Sequence, residues 1–217
     1  MVLIIGSHIN RKSENYTSII NSIKDEKKLG GNIMQIFLGN SIKTTLTNKF
    51  RINPSELKEI KAEMKKSKVK IVVHSILTLN LSSPLERRYM WNVDNLVYDL
   101  ELNGKIGGLG VVVHMGAMKT KNFDLTYKEA EDNYVKNIKN ALKRTKKSLV
   151  IFETSCNQSN KVGGTIELFA KLYKRFPPKL RKRIGICVDT AHIFSAGYKI
   201  EKEEGMRQDD DQLRFQI

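Results

Sequence analysis

"VKIVVHSILTLN", residues 69–80, opens on a β-branched run that stops at a histidine. A run this short and this apolar is typical of a strand buried on both faces, as in a parallel sheet. Five others share the pattern: "VLII" (2–5), "NIMQIFL" (32–38), "LGVVV" (109–113), "SLVIF" (148–152) and "IGICV" (184–188). Between the six lie Lys- and Glu-rich stretches with helical spacing, at 13–30, 54–68, 86–107, 126–145 and 165–177. Asn53 before Pro54 is a helix start, as is Asp124 or Thr126, and Gly30 with Gly31 suits a helix end. Trp91 falls on the third amphipathic helix and reads as core. Strand and helix alternating every roughly 35–40 residues predict a βα architecture. Two parallel solutions compete, an open doubly wound sheet and a (β/α)8 barrel. No G-x-G-x-x-G follows the first strand, so the dinucleotide-binding form loses support. A barrel has eight units in typically ~250 residues. Six are found here, so the expectation is an α/β fold of TIM-barrel type with about six of eight βα units present.

Composition narrows the class. The 217 residues carry 38 Lys and Arg against 23 Asp and Glu, a formal net charge of +15, which favours a polyanion partner. No apolar stretch reaches the ~20 residues of a membrane span, and the N-terminus lacks the basic segment of a secretory signal. The two cysteines, Cys156 and Cys187, have no C-x-x-C spacing. A reducing compartment is the default reading, hence an intracellular protein, cytoplasmic or nuclear.

All four histidines, His8, His74, His114 and His192, fall at or just after the end of an apolar run. Glu153 and Asp189 obey the same rule. Taken singly, each histidine can be a hydrogen-bonded loop residue, and each acid can cap the following helix. In a parallel α/β fold, however, these strand ends converge on the face where ligands bind. Carboxylates gathered there repel unless a cation or proton sits between them. Imidazole with carboxylate and no thiolate cluster suits Zn2+, or Mn2+ and Fe2+. On a basic chain, metal-dependent hydrolysis of a nucleic-acid phosphodiester follows as the natural chemistry.

These motifs together resemble the endonuclease IV family, the zinc-dependent apurinic/apyrimidinic endonucleases. "ICVDTAHIFSAGYKI" (186–200) resembles that family's D-T-x-H-x-x-x-x-G-Y-D-I pattern. "LIIGSHIN", "MQIFLGN", "VVHSILTLNLSSP", "VVVHMG" and "IFETSCNQSNKVGG" resemble its other strand-end segments, in order from Leu3 to about Gly205. The resemblance implies a barrel with three zinc ions that cleaves double-stranded DNA 5′ to an abasic site, in base-excision repair, as a monomer. It implies His74, His114 and Glu153 as ligands of the first zinc, with Glu153 also catalytic and shared with the second. Asp189 would bind the second and His192 the third, with His8 near the site. The DNA side is expected to use Asn40 and Lys43 in the loop after strand two, and Leu77, Thr78 and Asn80 in the loop after strand three.

The chain also departs from that pattern. No histidine follows His192, so the family's later ligands, a His, an Asp-x-His pair and a Glu, have no counterpart. The expectation is an incomplete barrel domain over 1–205 and a divergent tail over 206–217, from a truncated or frame-shifted copy whose activity the truncation could abolish. Leu77 stands where the family often has tyrosine, and "HMG" stands for H-P-G. Two other readings compete: a xylose-isomerase-like sugar isomerase or epimerase, and a DNA-binding fragment without chemistry.

Overall fold

The computed structural model describes residues 3–9, 16–42 and 52–201. Lys43 and the expected tail over 206–217 lie outside them. Strands β1 (Gly6–His8), β2 (Ile33–Phe37), β3 (Lys70–His74), β4 (Gly110–Val113), β7 (Leu149–Glu153) and β8 (Ile184–Cys187) make one sheet, in the order β1-β2-β3-β4-β7-β8. The β1·β2, β2·β3, β3·β4 and β7·β8 pairs are parallel. Strands β5 (Lys119–Thr120) and β6 (Phe123–Asp124) form an antiparallel hairpin of their own. The helices are α1 (Tyr16–Lys28), α2 (Pro54–Ser67), α3 (Met90–Ile106), α4 (Tyr127–Arg144), α5 (Ile166–Lys174), α6 (Pro178–Arg181) and α7 (Thr190–Ser195). Among the described residues, no helix is long and apolar enough to cross a membrane.

The helix signals act as the sequence suggests. The Asn53 side chain accepts from Glu56 N–H at 3.0 Å, and Glu56 accepts from Asn53 N–H at 2.6 Å, a reciprocal cap with Pro54 in the first turn. Thr126 starts α4 in the same way, with Thr126 N–H donating to Glu129 Oε2 at 2.9 Å. After α1 the chain turns through Gly30 at φ +87°, a conformation that costs glycine little.

The first strand sits later than the apolar run 2–5 suggests. Gly6, Ser7 and His8 pair with Ile33, Met34 and Gln35. Leu3 and Ile5 are instead held by the Asn32 side chain, which accepts from Ile5 N–H at 2.9 Å and donates to Leu3 O at 2.8 Å. Gly6 is where the backbones close: a Cβ there would lie 1.5 Å from Ile33 O.

The chain divides into two compact units. The first comprises Met1–Thr78, Asp94–Val112 and Thr145–Leu149. Its core includes Ile19, Ile23, Ile36, Ile60, Ile71 and Leu96, each 1% exposed or less. The second comprises Leu79–Val93, Val113–Arg144 and Val150–Ile217. Its core centres on Phe152, whose ring lies 5.5 Å from Tyr134, 6.4 Å from Phe169 and 5.5 Å from Phe176. Trp91 is not core: it is 38% exposed.

Candidate metal centre

Strand β7 runs Leu149–Glu153, and its last side chain, in the second unit, is the Glu153 carboxylate, buried at the strand end. The neighbouring strand β8 stops at Cys187, two residues before Asp189. Asp189 caps the short helix α7, its Oδ1 accepting from His192 N–H at 2.9 Å. This cap folds the chain so that residues 189 and 192 lie on one side of the turn. Glu153, Asp189 and His192 each offer a ligand atom, and these atoms lie within 4.8 Å of one another. His114 follows β4 directly and brings Nε2 to 3.1 Å from Glu153 Oε2. The His114 and His192 rings stand edge to face at 6.2 Å. Both histidines and Asp189 are half-buried.

The His192 ring is oriented by its other nitrogen. Nδ1 lies 2.7 Å from the carbonyl of Thr154 and donates to it. That bond fixes the tautomer and presents Nε2 as a lone-pair donor. Two carboxylates and an imidazole at this separation are a borderline-hard donor set that fits Zn2+ or Mn2+. Burial first, then the charges of Glu153 and Asp189, push the Cys187 thiol up to about 11. The ligand atoms that converge are those of Glu153, Asp189 and His192, oxygen and nitrogen.

The Xylose isomerase-like TIM barrel family model matches residues 23–215. An endonuclease 4 from Acanthamoeba polyphaga mimivirus is 33% identical over 211 residues, covering 95% of this chain and 65% of its own length. One from Mycoplasmopsis agalactiae is 30% identical over 203 residues, covering 92% of this chain and 68% of its own. The chain belongs to the xylose isomerase-like TIM barrel family, among the endonuclease 4 proteins. It spans about two thirds of the length of these curated relatives. Endonuclease IV from Thermus thermophilus superposes with a TM-score of 0.77 at 20% identity, over 98% of this chain and 72% of that one. A D-tagatose 3-epimerase-like protein gives 0.63 at 20%, over 94% and 72%. These solved structures share the fold, which is the α/β TIM-barrel type expected from the βα repeat.

The other residues expected of an endonuclease 4 chain fall as follows. In the first unit, His74 is buried at the end of β3, with Nδ1 2.6 Å from Ser75 O. The His8 ring lies 6.2 Å from His74, and Phe37 touches both, at 4.9 and 5.1 Å. Burial first, then the neighbouring His74, lower the pKa of His8, opposed by a hydrogen bond to the Gln35 side chain that raises it. Leu77 is exposed, and its N–H donates to Ser41 O at 2.7 Å. Thr78 Oγ1 donates to Ile42 O at 2.7 Å, and Asn40 Oδ1 accepts from Ile42 N–H at 2.9 Å. The loops after β2 and β3 are thus tied together.

In the second unit, the Asn80 side chain donates to Ala117 O at 3.0 Å and accepts from Ala117 N–H and Ser82 N–H, both at 3.1 Å. Three of the four bonds an amide can make are therefore engaged within the protein. Asn92 and Asn137, unremarkable in the sequence, complete this framework: Asn92 donates to Ser83 Oγ, and Asn137 to Leu81 O and Ser83 O. Tyr134 on α4 is wholly buried, and its hydroxyl has no partner among the described residues. Burial, then the charge of Glu153, raise its pKa.

Proposed function

We propose that this chain is a zinc-dependent nuclease that hydrolyses double-stranded DNA on the 5′ side of an abasic site, a step of base-excision repair carried out inside the cell. The observation that supports this most is the convergence of Glu153, Asp189 and His192 within 4.8 Å, with His114 at 3.1 Å from Glu153. In this reading Glu153, Asp189, His192 and His114 hold the metal, and His74 joins them as the resemblance implies. Zinc bound there would supply Lewis acidity and a hydroxide at neutral pH. Glu153 and Asp189 fix where positive charge is held, and the half-buried setting limits the water around the phosphate. Leu77, exposed at the tip of its loop, wedges against a base step beside the lesion. Asn40, Lys43 and Thr78 meet the backbone, Asn80 shapes the loop behind them, and the net charge of +15 draws in the duplex. The epimerase reading has only a shared fold at 20% identity, whereas the endonuclease 4 relatives reach 33%.

The test is incision of a duplex carrying one abasic analogue. The expected product is a nick on the 5′ side, abolished by chelator and restored by Zn2+. A folded, zinc-loaded chain that leaves the duplex intact would overturn the proposal.

A further inference from the structure

Thr154 follows Glu153, at the point where the β7·β8 ladder ends. The ladder runs regularly up to that point: Val150 N–H donates to Arg183 O at 3.0 Å, and Thr154 N–H to Cys187 O at 2.9 Å. In a parallel pair the next bond of this series runs from Asp189 N–H to the carbonyl of Thr154. It is not made. Asp189 N–H donates instead to the Thr154 hydroxyl, at 2.9 Å, and the carbonyl so released accepts from His192 Nδ1 at 2.7 Å. The hydroxyl also reaches Asp189 O, at a long 3.5 Å. One buried residue, 3% exposed, thus grips the two later members of the cluster by two different atoms.

We infer that Thr154 is a positioning residue for the cation site. Its hydroxyl stands in for its own carbonyl in the ladder, which sets the Asp189 carboxylate beside Glu153, while the carbonyl holds the His192 ring by Nδ1 and leaves Nε2 its lone pair. A residue without a side-chain acceptor leaves Asp189 N–H only the carbonyl. Asp189 then moves back toward the ladder position, its carboxylate and cap move with it, and the carbonyl is shared with the imidazole. Serine offers the same oxygen at the same reach. The inference rests on reading the Glu153–Asp189–His192 cluster as a cation site.

The experiment uses the full 217-residue chain with Thr154→Val and Thr154→Ser. Zinc affinity is measured with Zn2+ alone, by competition with a chromophoric chelator. The imidazole tautomers are read in the metal-free protein by long-range 1H–15N correlation. Loss of an outer hydrogen bond that orients a ligand costs about 10–100-fold in metal affinity. The valine variant is expected to show a loss of that size, and the serine variant none. His192 is expected as the Nδ1–H tautomer in the parent and serine chains, with Nε2–H appearing in the valine chain. A valine variant with parental zinc affinity and an unchanged His192 tautomer overturns the inference. So does a parent chain whose His192 carries its proton on Nε2, a result that needs no variant to fold. If no chain binds zinc while valine alone shifts the tautomer, the positioning role stands and the cation reading falls.

Discussion

Asp189 performs two tasks that a pair of substitutions can separate. Its Oδ1 caps α7 through His192 N–H at 2.9 Å, and its carboxylate lies within ligand distance of Glu153 and His192. Asparagine caps a helix about as well as aspartate but brings no charge to a cation, while alanine does neither. In the metal-free chain, Asp189→Asn should therefore melt within about 2 °C of the parent, whereas Asp189→Ala should lose the cap, about 1 kcal/mol, or roughly 2–4 °C for a chain of this size. Zinc at one hundred times its dissociation constant adds about 2.7 kcal/mol, a rise of roughly 5–10 °C in the parent. Both variants should forfeit most of that rise. The assay is thermal denaturation by circular dichroism, with chelator and with Zn2+. If the metal-free asparagine variant falls as far as alanine, the cap argument fails. If asparagine keeps the parental zinc shift, Asp189 is not a ligand.

Phe152→Ala should cost about 3–5 kcal/mol in urea unfolding, because the ring is fully buried among Tyr134, Phe169 and Phe176. Gly6→Ala places a methyl 1.5 Å from Ile33 O, so β1 should detach and the Ile9 amide, which donates to Gln35 O at 2.9 Å, should exchange much faster with solvent. Asp132, bonded to Lys128 and Arg175, is held at about 2, below its ordinary 3.8. A depressed folded-state value means that its contribution is complete above the unfolded value and is lost as pH falls through the folded one. Arg175→Ala should thus be less stable than the parent above about pH 4 and converge on it near pH 2, with salt narrowing the gap because the pair lies at the surface.

Strands β2, β3, β4, β7 and β8 were legible because strands covered on both faces appear as unbroken apolar runs, and these five lie within a residue or two of theirs. The run at 2–5 misled because the Asn32 side chain occupies backbone groups that a ladder would use, leaving Gly6–His8 to pair. The β5·β6 hairpin has only two residues per strand, and α6 and α7 are four and six residues long, too short for any periodicity to register. Trp91 fitted the helical spacing yet emerged exposed, since spacing marks a helix face without saying how far that face is covered. Glu153, Asp189, His192 and His114 stood out because each ends or closely follows an apolar run. Thr154 did not, since its importance depends on the register between two strands 35 residues apart in sequence. The Asn80 amide, expected on the DNA side, is engaged mostly by Ala117 and Ser82.

The Tyr134 hydroxyl is buried with nothing among the described residues to receive its proton. Burying such a group unsatisfied costs about 1–3 kcal/mol, yet the ring beneath it is central to the aromatic core around Phe152. Phenylalanine at 134 would keep that edge-to-face contact and shed the misfit. One oxygen atom thus marks a reserve of robustness that the natural sequence has left untouched.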